Sequence, residues 1–228
     1  MKNKFAAWKI SWVVRQSWEY GKHPMKANQF FALATIALCG VCNSFAQTWT
    51  QTSAPSKQWT CVASSADGSK LFALTPTAYY SSTNSGNTWN SNSEPQRASN
   101  TGAWDSIASS ADGNKLFAIA GQSTWVSTNA GATWMSNNVP SVYIWAFAAS
   151  SADGNKLVAV DGLYSPSPGG NIYTSTNSGI TWTQTSAPSN YWSSVACSAD
   201  GNKIVAVAWP SSHLSPGSIY TSTNAGFT

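Results

Sequence analysis

The sequence predicts an all-β fold of about four four-stranded sheets, because it combines a long internal repeat with strand-forming residues and regular turn signals. After residue 46 an S-A-D-G segment recurs, with its aspartate at positions 67, 112, 153 and 200. The resulting intervals of 45, 41 and 47 residues suit a unit of four strands. Between the turns the chain is rich in Val, Ile, Thr, Tyr and Trp and shows no helical periodicity.

Each repeat divides into four predicted strands, A to D. Strand A starts at a Trp, strand B is a K-L-F-A-L or K-I-V-A-V run, strand C ends in Y-T-S-T or its equivalent, and strand D begins at a T-W pair. Strand A is rich in small residues, which fit where sheets converge on a central axis. The pattern predicts a β-propeller with blades at about 47–93, 94–137, 138–186 and 187–228.

Two turns recur in every repeat. The Asp-Gly pair of S-A-D-G is expected to close the A–B hairpin, with its glycine at positive φ. In the S-x-N-x-G-x-T-W turn we expect the Asn to hydrogen-bond the backbone two residues on, the Gly to be left-handed and the Trp to pack over the loop. The turn residues are Ser82, Asn84, Gly86, Trp89, Ser127, Asn129, Gly131, Trp134, Ser175, Asn177, Gly179, Trp182, Ser222, Asn224 and Gly226.

This turn resembles the Asp-box, or bacterial neuraminidase repeat, S-x-D-x-G-x-T-W of the sialidase-like superfamily. Every copy here has Asn in place of the Asp, and Asn keeps the acceptor oxygen that the turn needs. The resemblance implies a β-propeller whose box is structural and lies away from the active face. It leaves function open, since the superfamily includes sialidases, endoglucanase-type glycosidases, photosystem II assembly factors and sortilin-like receptors.

Residue counts argue against catalysis. A sialidase resemblance implies three arginines that grip a carboxylate, but residues 47–228 contain only Arg97. A glycosidase needs two carboxylates, and outside the S-A-D-G turns only Glu94, Asp105 and Asp161 remain, without distinctive spacing. No metal-ligand cluster or phosphate loop is recognisable, and S-A-D-G-N-K offers a calcium ion a single carboxylate. We therefore predict no catalytic residue, no metal and no cofactor.

A binding face is predicted at the end of the blades that carries the B–C and D–A loops, because these loops differ between repeats. Exposed aromatic side chains with a few polar neighbours suit a sugar or a peptide. The alternative is that these aromatics pack between blades. The candidate ligand-binding residues are Arg97, Tyr143, Asp161, Tyr164, Tyr191, Trp209 and His213.

Three functions fit these features. The first is a secreted, non-catalytic scaffold that binds an unknown glycan or protein. The second is a fragment of a propeller glycoside hydrolase whose catalytic residues lie in missing blades, and the third is an assembly factor resembling the photosystem II type. Nucleic acid is disfavoured as a partner, because residues 47–228 hold six basic and seven acidic residues.

The first 46 residues have the layout of a secretory leader. An apolar run at 30–41 follows basic residues and is too short to span a bilayer. Ser44 and Ala46 place small residues before a cut, so cleavage is predicted between Ala46 and Gln47, giving a secreted or periplasmic product without a stable membrane anchor. The basic segment is unusually long, and Met25 is the alternative start.

Two features of the repeat region leave alternatives open. The segment T-W-T-Q-T-S-A-P occurs at 48–55 and again at 181–188. Either the chain is a fragment of a larger propeller, or Thr48–Ser53 supplies the outer strand of the last blade and closes a four-blade ring. Cys61 and Cys197 are predicted to be separate buried thiols, since a disulfide would require the first and fourth repeats to be neighbours.

Overall fold

The computed structural model describes residues 49–92, 104–137, 145–161, 169–209 and 216–227. The chain divides into two compact units, Met1–Thr50 and Gln51–Thr228. All the described strands lie in the second unit, and the described residues contain no helix. No described segment is therefore a helix able to cross a membrane.

The strands form four consecutive antiparallel sheets, which we call sheets 1 to 4. Sheet 1 consists of β1 (Cys61–Ser64), β2 (Leu71–Leu74), β3 (Tyr79–Ser82) and β4 (Asn90–Asn92). Sheet 2 consists of β5 (Trp104–Ser109), β6 (Leu116–Ala120), β7 (Ser123–Ser127) and β8 (Met135–Asn137). Sheet 3 consists of β9 (Trp145–Ser150), β10 (Leu157–Asp161), β11 (Ile172–Ser175) and β12 (Thr183–Gln184). Sheet 4 has three described strands, β13 (Trp192–Cys197), β14 (Ile204–Ala208) and β15 (Ser218–Ser222).

The predicted all-β class and the A-to-D strand order are confirmed, with two shifts in where strands begin. Strand D begins just after the T-W pair, at Asn90, Met135 and Thr183. Strand A begins at the Trp in sheets 2 to 4 but at Cys61 in sheet 1, where Trp59 is partly exposed.

The Asp-Gly turns have the predicted geometry. Gly68 has φ 71°, and its three counterparts have φ 67–68°. The Asp67 carboxylate accepts hydrogen bonds from the Ser65 hydroxyl (2.6 Å) and the Ser69 amide (3.0 Å). The carboxylate therefore holds the turn together at both ends.

The S-x-N-x-G-x-T-W turn differs from its prediction in the reach of the Asn. Asn129 Oδ1 accepts from the amide of Thr133 (2.9 Å), four residues on rather than two, and Asn129 Nδ2 donates to the Thr133 hydroxyl (2.8 Å). The Ser127 hydroxyl donates to Asn129 Oδ1 and accepts from the Gly131 amide, both at 2.9 Å. The longer reach follows from a wider turn with two left-handed residues in succession, Ala130 (φ 57°) and Gly131 (φ 83°).

The extra left-handed residue joins the two turns of each sheet. The Ala130 amide donates to the carbonyl of Asn114 in the A–B turn (2.8 Å), and the Ser85 amide bonds Ser69 in the same way (2.9 Å). The predicted packing of the Trp over the loop is found in sheets 2 and 3, where Trp134 and Trp182 donate to the carbonyl of the turn glycine.

We predict that Ser127→Ala lowers the free energy of unfolding by about 1–3 kcal/mol, because it leaves the buried Gly131 amide without its acceptor. Ser222→Ala removes the same bond in sheet 4, where the site is only partly buried, and should cost less. Urea unfolding of both variants measures the difference. Equal losses below about 0.5 kcal/mol would show that the hydroxyl does not hold the turn.

Successive sheets are joined by one repeated backbone link. The Ala66 amide donates to the carbonyl of Ala111 (2.8 Å), Ala111 to Ala152 (2.7 Å) and Ala152 to Ala199 (2.8 Å). Each link connects the S-A-D-G turn of one sheet to the same turn of the next. The sheets are thereby held at a fixed spacing at this end.

A lysine from each sheet reinforces that link. Lys70 donates to the carbonyl of Asp112 (2.9 Å) and to Asn114 Oδ1 (2.7 Å) in the next sheet. Its stem crosses Gly113, where an added Cβ would lie 2.8 Å from Lys70 Cδ. Lys115 and Lys156 likewise donate to Asn155 Oδ1 and Asn202 Oδ1 of the next sheet, and their stems cross Gly154 and Gly201.

Three apolar clusters fill the spaces between sheets 1 and 2, 2 and 3, and 3 and 4. In each of sheets 2 to 4 the Trp that opens strand A is buried. Trp134 packs edge-on against Tyr79 of sheet 1 (5.5 Å between ring centroids), and Trp182 packs against Phe117 of sheet 2 (5.2 Å). The Trp of the C–D turn therefore bridges a sheet to its predecessor.

The four sheets do not close into a ring. Val62 on the outer face of sheet 1 is 72% exposed, whereas its counterpart Ile107 is 6% exposed. Val207 on the opposite face of sheet 4 is also exposed, and its counterpart Ile119 is buried. Each end sheet thus presents an apolar face that an inner sheet would cover.

The predicted alternative of a ring closed by Thr48–Ser53 is not formed in the described residues, since no strand pairs with the outer edge of β15. Residues 51–53 instead lie along sheet 1, where the Ser53 hydroxyl donates to the carbonyl of Asn87 (2.7 Å). Thr185 lies against Gly226 of sheet 4 in the same way that Thr52 lies against Gly86.

The two described cysteines are free, as the separate-thiol alternative predicts, although both are half-buried rather than buried. They lie in β1 and β13, in the first and fourth sheets. Burial raises the pKa of Cys61 to about 11, and burial likewise raises the pKa of Cys197. Both thiols are therefore protonated, and poorly nucleophilic, at neutral pH.

Candidate binding surface

The sheets present two different ends. The A–B and C–D turns share one end, as their mutual hydrogen bonds show. The described parts of the B–C and D–A loops between sheets 3 and 4 meet at the other end, where Gly170 and Asn190 form an antiparallel bridge. For these residues the division is the one that the sequence predicts.

Gly170 is the centre of the loop-bearing end between sheets 3 and 4. It exchanges two backbone hydrogen bonds with Asn190, of 2.8 and 3.0 Å. Its carbonyl also accepts from the buried indole of Trp192 (3.1 Å). The Asn190 side chain donates in turn to the Tyr220 hydroxyl (3.2 Å). These bonds fix the two loops to each other and to the core of sheet 4.

Asn171 extends this network. Its side-chain oxygen accepts from Gln184 Nε2 (3.2 Å) and from the Ser189 hydroxyl (3.0 Å). Its backbone amide donates to the carboxylate of Asp161. These polar groups are therefore held in place by one another.

Asp161 is only 2% exposed. Burial raises the pKa of its carboxyl, and the Asn171 amide opposes that rise. A carboxyl whose pKa is raised in the folded state lowers the stability of the fold as the pH rises above the carboxyl's unfolded-state pKa. The reason is that the folded state disfavours the charged form. Such a group is a recognised feature of functional sites.

Tyr191 and Trp209 are the exposed aromatic pair of this surface. The Trp209 amide donates to the carbonyl of Tyr191 (2.7 Å), which places the two residues opposite each other just beyond the paired ends of β13 and β14. Trp209 is 61% exposed, and Tyr191 is half-buried. The alternative of packing between blades stays open for both residues, because Trp209 follows the exposed Val207 of sheet 4.

The structure thus links three of the seven predicted ligand-binding residues, Asp161, Tyr191 and Trp209, through the Gly170–Asn190 bridge. Their role in binding stays a prediction. The other four, Arg97, Tyr143, Tyr164 and His213, lie outside the described residues. Sequence reasoning missed the amides of Asn171 and Asn190; the G-G-N and S-N-Y-W segments that carry them are the signal that was available.

The other described carboxylates accept hydrogen bonds from hydroxyl and amide groups of nearby turns and loops. The four S-A-D-G aspartates each accept from a turn hydroxyl and a turn amide. Asp105 accepts from the amide of Gly121 (2.9 Å). Among the residues that the structure describes, no three His, Cys, Asp or Glu side chains come together as metal ligands would.

These turns predict an acid limit to stability. Hydrogen bonds from the Ser65 and Ser198 hydroxyls lower the pKa of Asp67 and of Asp200 from 3.8 to about 2, and Asp112 and Asp153 shift in the same direction. A lowered folded-state pKa adds stability that is complete above about pH 4 and is lost as the pH falls towards 2. The free energy of unfolding, measured by denaturant titration at several pH values, should decline over that window. Changing all four aspartates to Asn should flatten the decline, and an unchanged slope would contradict the assignment.

Known structures with the same arrangement of sheets are β-propellers. The GH74 enzyme of Niastella koreensis is 24% identical with a TM-score of 0.60, over 82% of this chain and 26% of that chain. A GH74 xyloglucanase from Xanthomonas campestris is 16% identical with a TM-score of 0.55, over 75% and 28%. YCF48 bound to D1 peptide is 13% identical with a TM-score of 0.53, over 77% and 56%.

The chain is thus an all-β protein with the β-propeller fold, present as an arc of four sheets. It spans about a quarter of the length of the GH74 chains that it matches. No protein-family profile and no curated protein sequence matches it. The similarity to solved structures establishes the fold, and the solved propellers include both enzymes and a peptide-binding protein.

Proposed function

We propose that this protein is a secreted, non-catalytic binding scaffold whose ligand, a glycan or a protein segment, docks on the loop-bearing end at Tyr191 and Trp209. The observation that carries the proposal is the exposed indole of Trp209 beside polar groups already fixed by the Gly170–Asn190 bridge. Aromatic faces stack on sugar rings or anchor peptide side chains, and fixed amides orient them. The S-x-N-x-G-x-T-W turns, as a variant Asp-box, have a structural role at the opposite end of the sheets.

The state of the carboxylates also supports a binding role. Hydrolysis of a glycosidic bond requires one carboxyl as acid and a second as base or nucleophile. Burial raises the pKa of the Asp161 carboxyl, whereas hydrogen bonds lower the pKa of the turn aspartates, and Asp105 accepts a hydrogen bond from the Gly121 amide. A protein ligand has a precedent in the fold, since YCF48 was solved with a peptide bound.

Binding is tested on an array that carries both glycans and extended peptides, probed with the protein and with two variants. Trp209→Ala should lower the affinity for any bound ligand about 10- to 100-fold, as expected for an aromatic anchor. Phe227→Ala is the matched control, because Phe227 is an exposed aromatic at the turn-bearing end and should have no effect. The proposal would be overturned if the protein bound neither glycans nor peptides, or if Trp209→Ala left the binding unchanged.

A propeller glycoside hydrolase is the second candidate, favoured by the GH74 neighbours and by the buried Asp161. A raised pKa is what a general acid requires. The test is turnover of xyloglucan and of aryl-glycosides by the protein and by Asp161→Asn. Turnover that this variant abolishes would replace the scaffold proposal with an enzymatic one.

Secretion is tested separately. The protein expressed with residues 1–46 in place should be recovered from the periplasm or the medium with Gln47 as its first residue. Recovery in the cytoplasm with the leader intact would contradict this part of the proposal without affecting the binding surface.

A further inference from the structure

Asp161 is a buried carboxyl at a position that carries neutral residues in the other sheets. It lies opposite Trp145, the residue that opens strand A of sheet 3, and it is 2% exposed. The residues opposite the corresponding Trp in sheets 2 and 4 are Ala120 and Ala208, and the counterpart in sheet 1 is Thr75. The repeat folds without a carboxyl at this position, so the charge in sheet 3 requires another explanation.

The segment Gly170-Asn171 covers the Asp161 carboxylate. The Asn171 amide donates a hydrogen bond to the carboxylate. A Cβ on Gly170 would overlap Asp161 Oδ1, so the bare Cα of the glycine packs directly against the carboxylate. Movement of this segment away from β10 would therefore expose the carboxylate to water.

The same segment supports the bridge between sheets 3 and 4. Gly170 exchanges two backbone hydrogen bonds with Asn190, and its carbonyl accepts a hydrogen bond from the Trp192 indole. Tyr191 lies between Asn190 and Trp192 in the chain. One piece of backbone thus covers a carboxylate and fixes the loop that carries Tyr191.

The described groups around the carboxyl do not compensate its charge. Trp145 on β9 is neutral, and Ile119 of sheet 2 packs in the same cluster as Trp145 and Tyr173. Tyr173 on β11 is neutral at ordinary pH, because burial and the charge of Asp161 raise its pKa. No charged group among the described residues contributes to the shift in the pKa of Asp161.

A charge on Asp161 is therefore unfavourable while the segment covers it. Burial raises the pKa of the carboxyl despite the hydrogen bonds from the Asn171 and Asp161 amides. With the segment displaced, water would solvate the charge and the ordinary pKa would return. The covered state is then most stable below the ordinary pKa and loses stability as the pH rises through the raised one. This window lies above the acid range in which the turn aspartates lose their contribution.

We propose that ionisation of Asp161 loosens the Gly170-Asn171 segment, so that the loop end beside Tyr191 is ordered in mild acid and opens more readily at neutral pH. The consequence for binding rests on the proposed function: a ligand held at Tyr191 should bind more tightly in mild acid. The opening of the bridge needs no ligand, so it can be tested even if the binding array fails.

Amide hydrogen exchange at about pH 4.5 and about pH 7.5 tests the proposal, with each rate divided by the intrinsic rate at that pH to give a protection factor. The reporters are the amides of Gly170 and Asn190, which form the bridge. Their protection should fall about 10-fold at the higher pH. The amide of Ala152, which donates to Ala199 at the turn-bearing end, is the control and should keep its protection.

Asp161→Asn keeps an acceptor for the Asn171 amide but cannot ionise, so its bridge protection should be the same at both pH values. Asp161→Ala introduces the residue that sheets 2 and 4 carry, and it should also remove the pH dependence. Equal protection of the unmodified protein at both pH values, or a fall that persists in Asp161→Asn, would overturn the proposal. A rise in protection with pH would also overturn it, because it would mean that the charged carboxylate gains a donor such as the Trp145 indole.

Discussion

Gly154→Ala should lower the free energy of unfolding by about 3 kcal/mol or more, with Gly68→Ala costing only about 1–2 kcal/mol. Both glycines have nearly the same left-handed φ, 68° and 71°, so the conformational penalty is shared. At Gly154 an added Cβ would lie 2.8 Å from Lys115 Cβ in the preceding sheet, whereas at Gly68 it would meet nothing. The difference between the two variants isolates the close approach between sheets.

Chemical unfolding of both variants in the same buffer measures that difference. Gly201→Ala should behave like Gly154→Ala, because its Cβ would lie 2.7 Å from Lys156 Cβ. If Gly68→Ala and Gly154→Ala were equally destabilising, the glycines would be needed for turn conformation alone. The contact of each lysine stem with the glycine of the next sheet would then contribute nothing to the spacing of the sheets.

Gly170→Ala should also cost about 3 kcal/mol or more, and it should damage the candidate binding surface first. Its Cβ would overlap the backbone carbonyl oxygen of Asp161, which lies at the end of a buried strand and cannot rotate away as a side chain could. The clash would break the bridge to Asn190 and displace the backbone carbonyl of residue 170, which accepts a hydrogen bond from the Trp192 indole.

The readouts for Gly170→Ala are the unfolding free energy and the near-ultraviolet circular dichroism of the tryptophans. Gly68→Ala is the control for a general effect of replacing a glycine. A Gly170→Ala protein with wild-type stability and an unchanged spectrum would show that the two loops are not held together as described.

Much of the fold could be predicted from the sequence because the repeat carries its own turn chemistry. Asp67-Gly68 and its counterparts specify the A–B hairpin, and the period specifies four strands. The hydrogen-bond partner of the Asn129 side chain was mispredicted because Ala130 is left-handed, and an alanine in the sequence does not indicate that conformation. Only the hydrogen bond from Ala130 to Asn114 reveals why that conformation is stable.

The candidate surface was less predictable, since it depends on contacts between different repeats. Tyr191 and Trp209 could be chosen as aromatics in variable loops, but 18 positions separate them in the chain and only the pairing of β13 with β14 brings them together. The burial of Asp161 had no sequence signal, because an acid at the end of a strand usually faces solvent. The ring closed by Thr48–Ser53 was one of two alternatives, and the exposed apolar end faces show that the described sheets do not close in this way.

The central claim is that four repeats stack as propeller sheets through one alanine link, and amide hydrogen exchange measured by NMR tests it most directly. The amides of Ala111 and Ala152 lie in turns but donate to the next sheet, so they should exchange as slowly as the strand amide of Ala118. Exchange of both within seconds, as in an exposed turn, would mean that the sheets do not stack in this way.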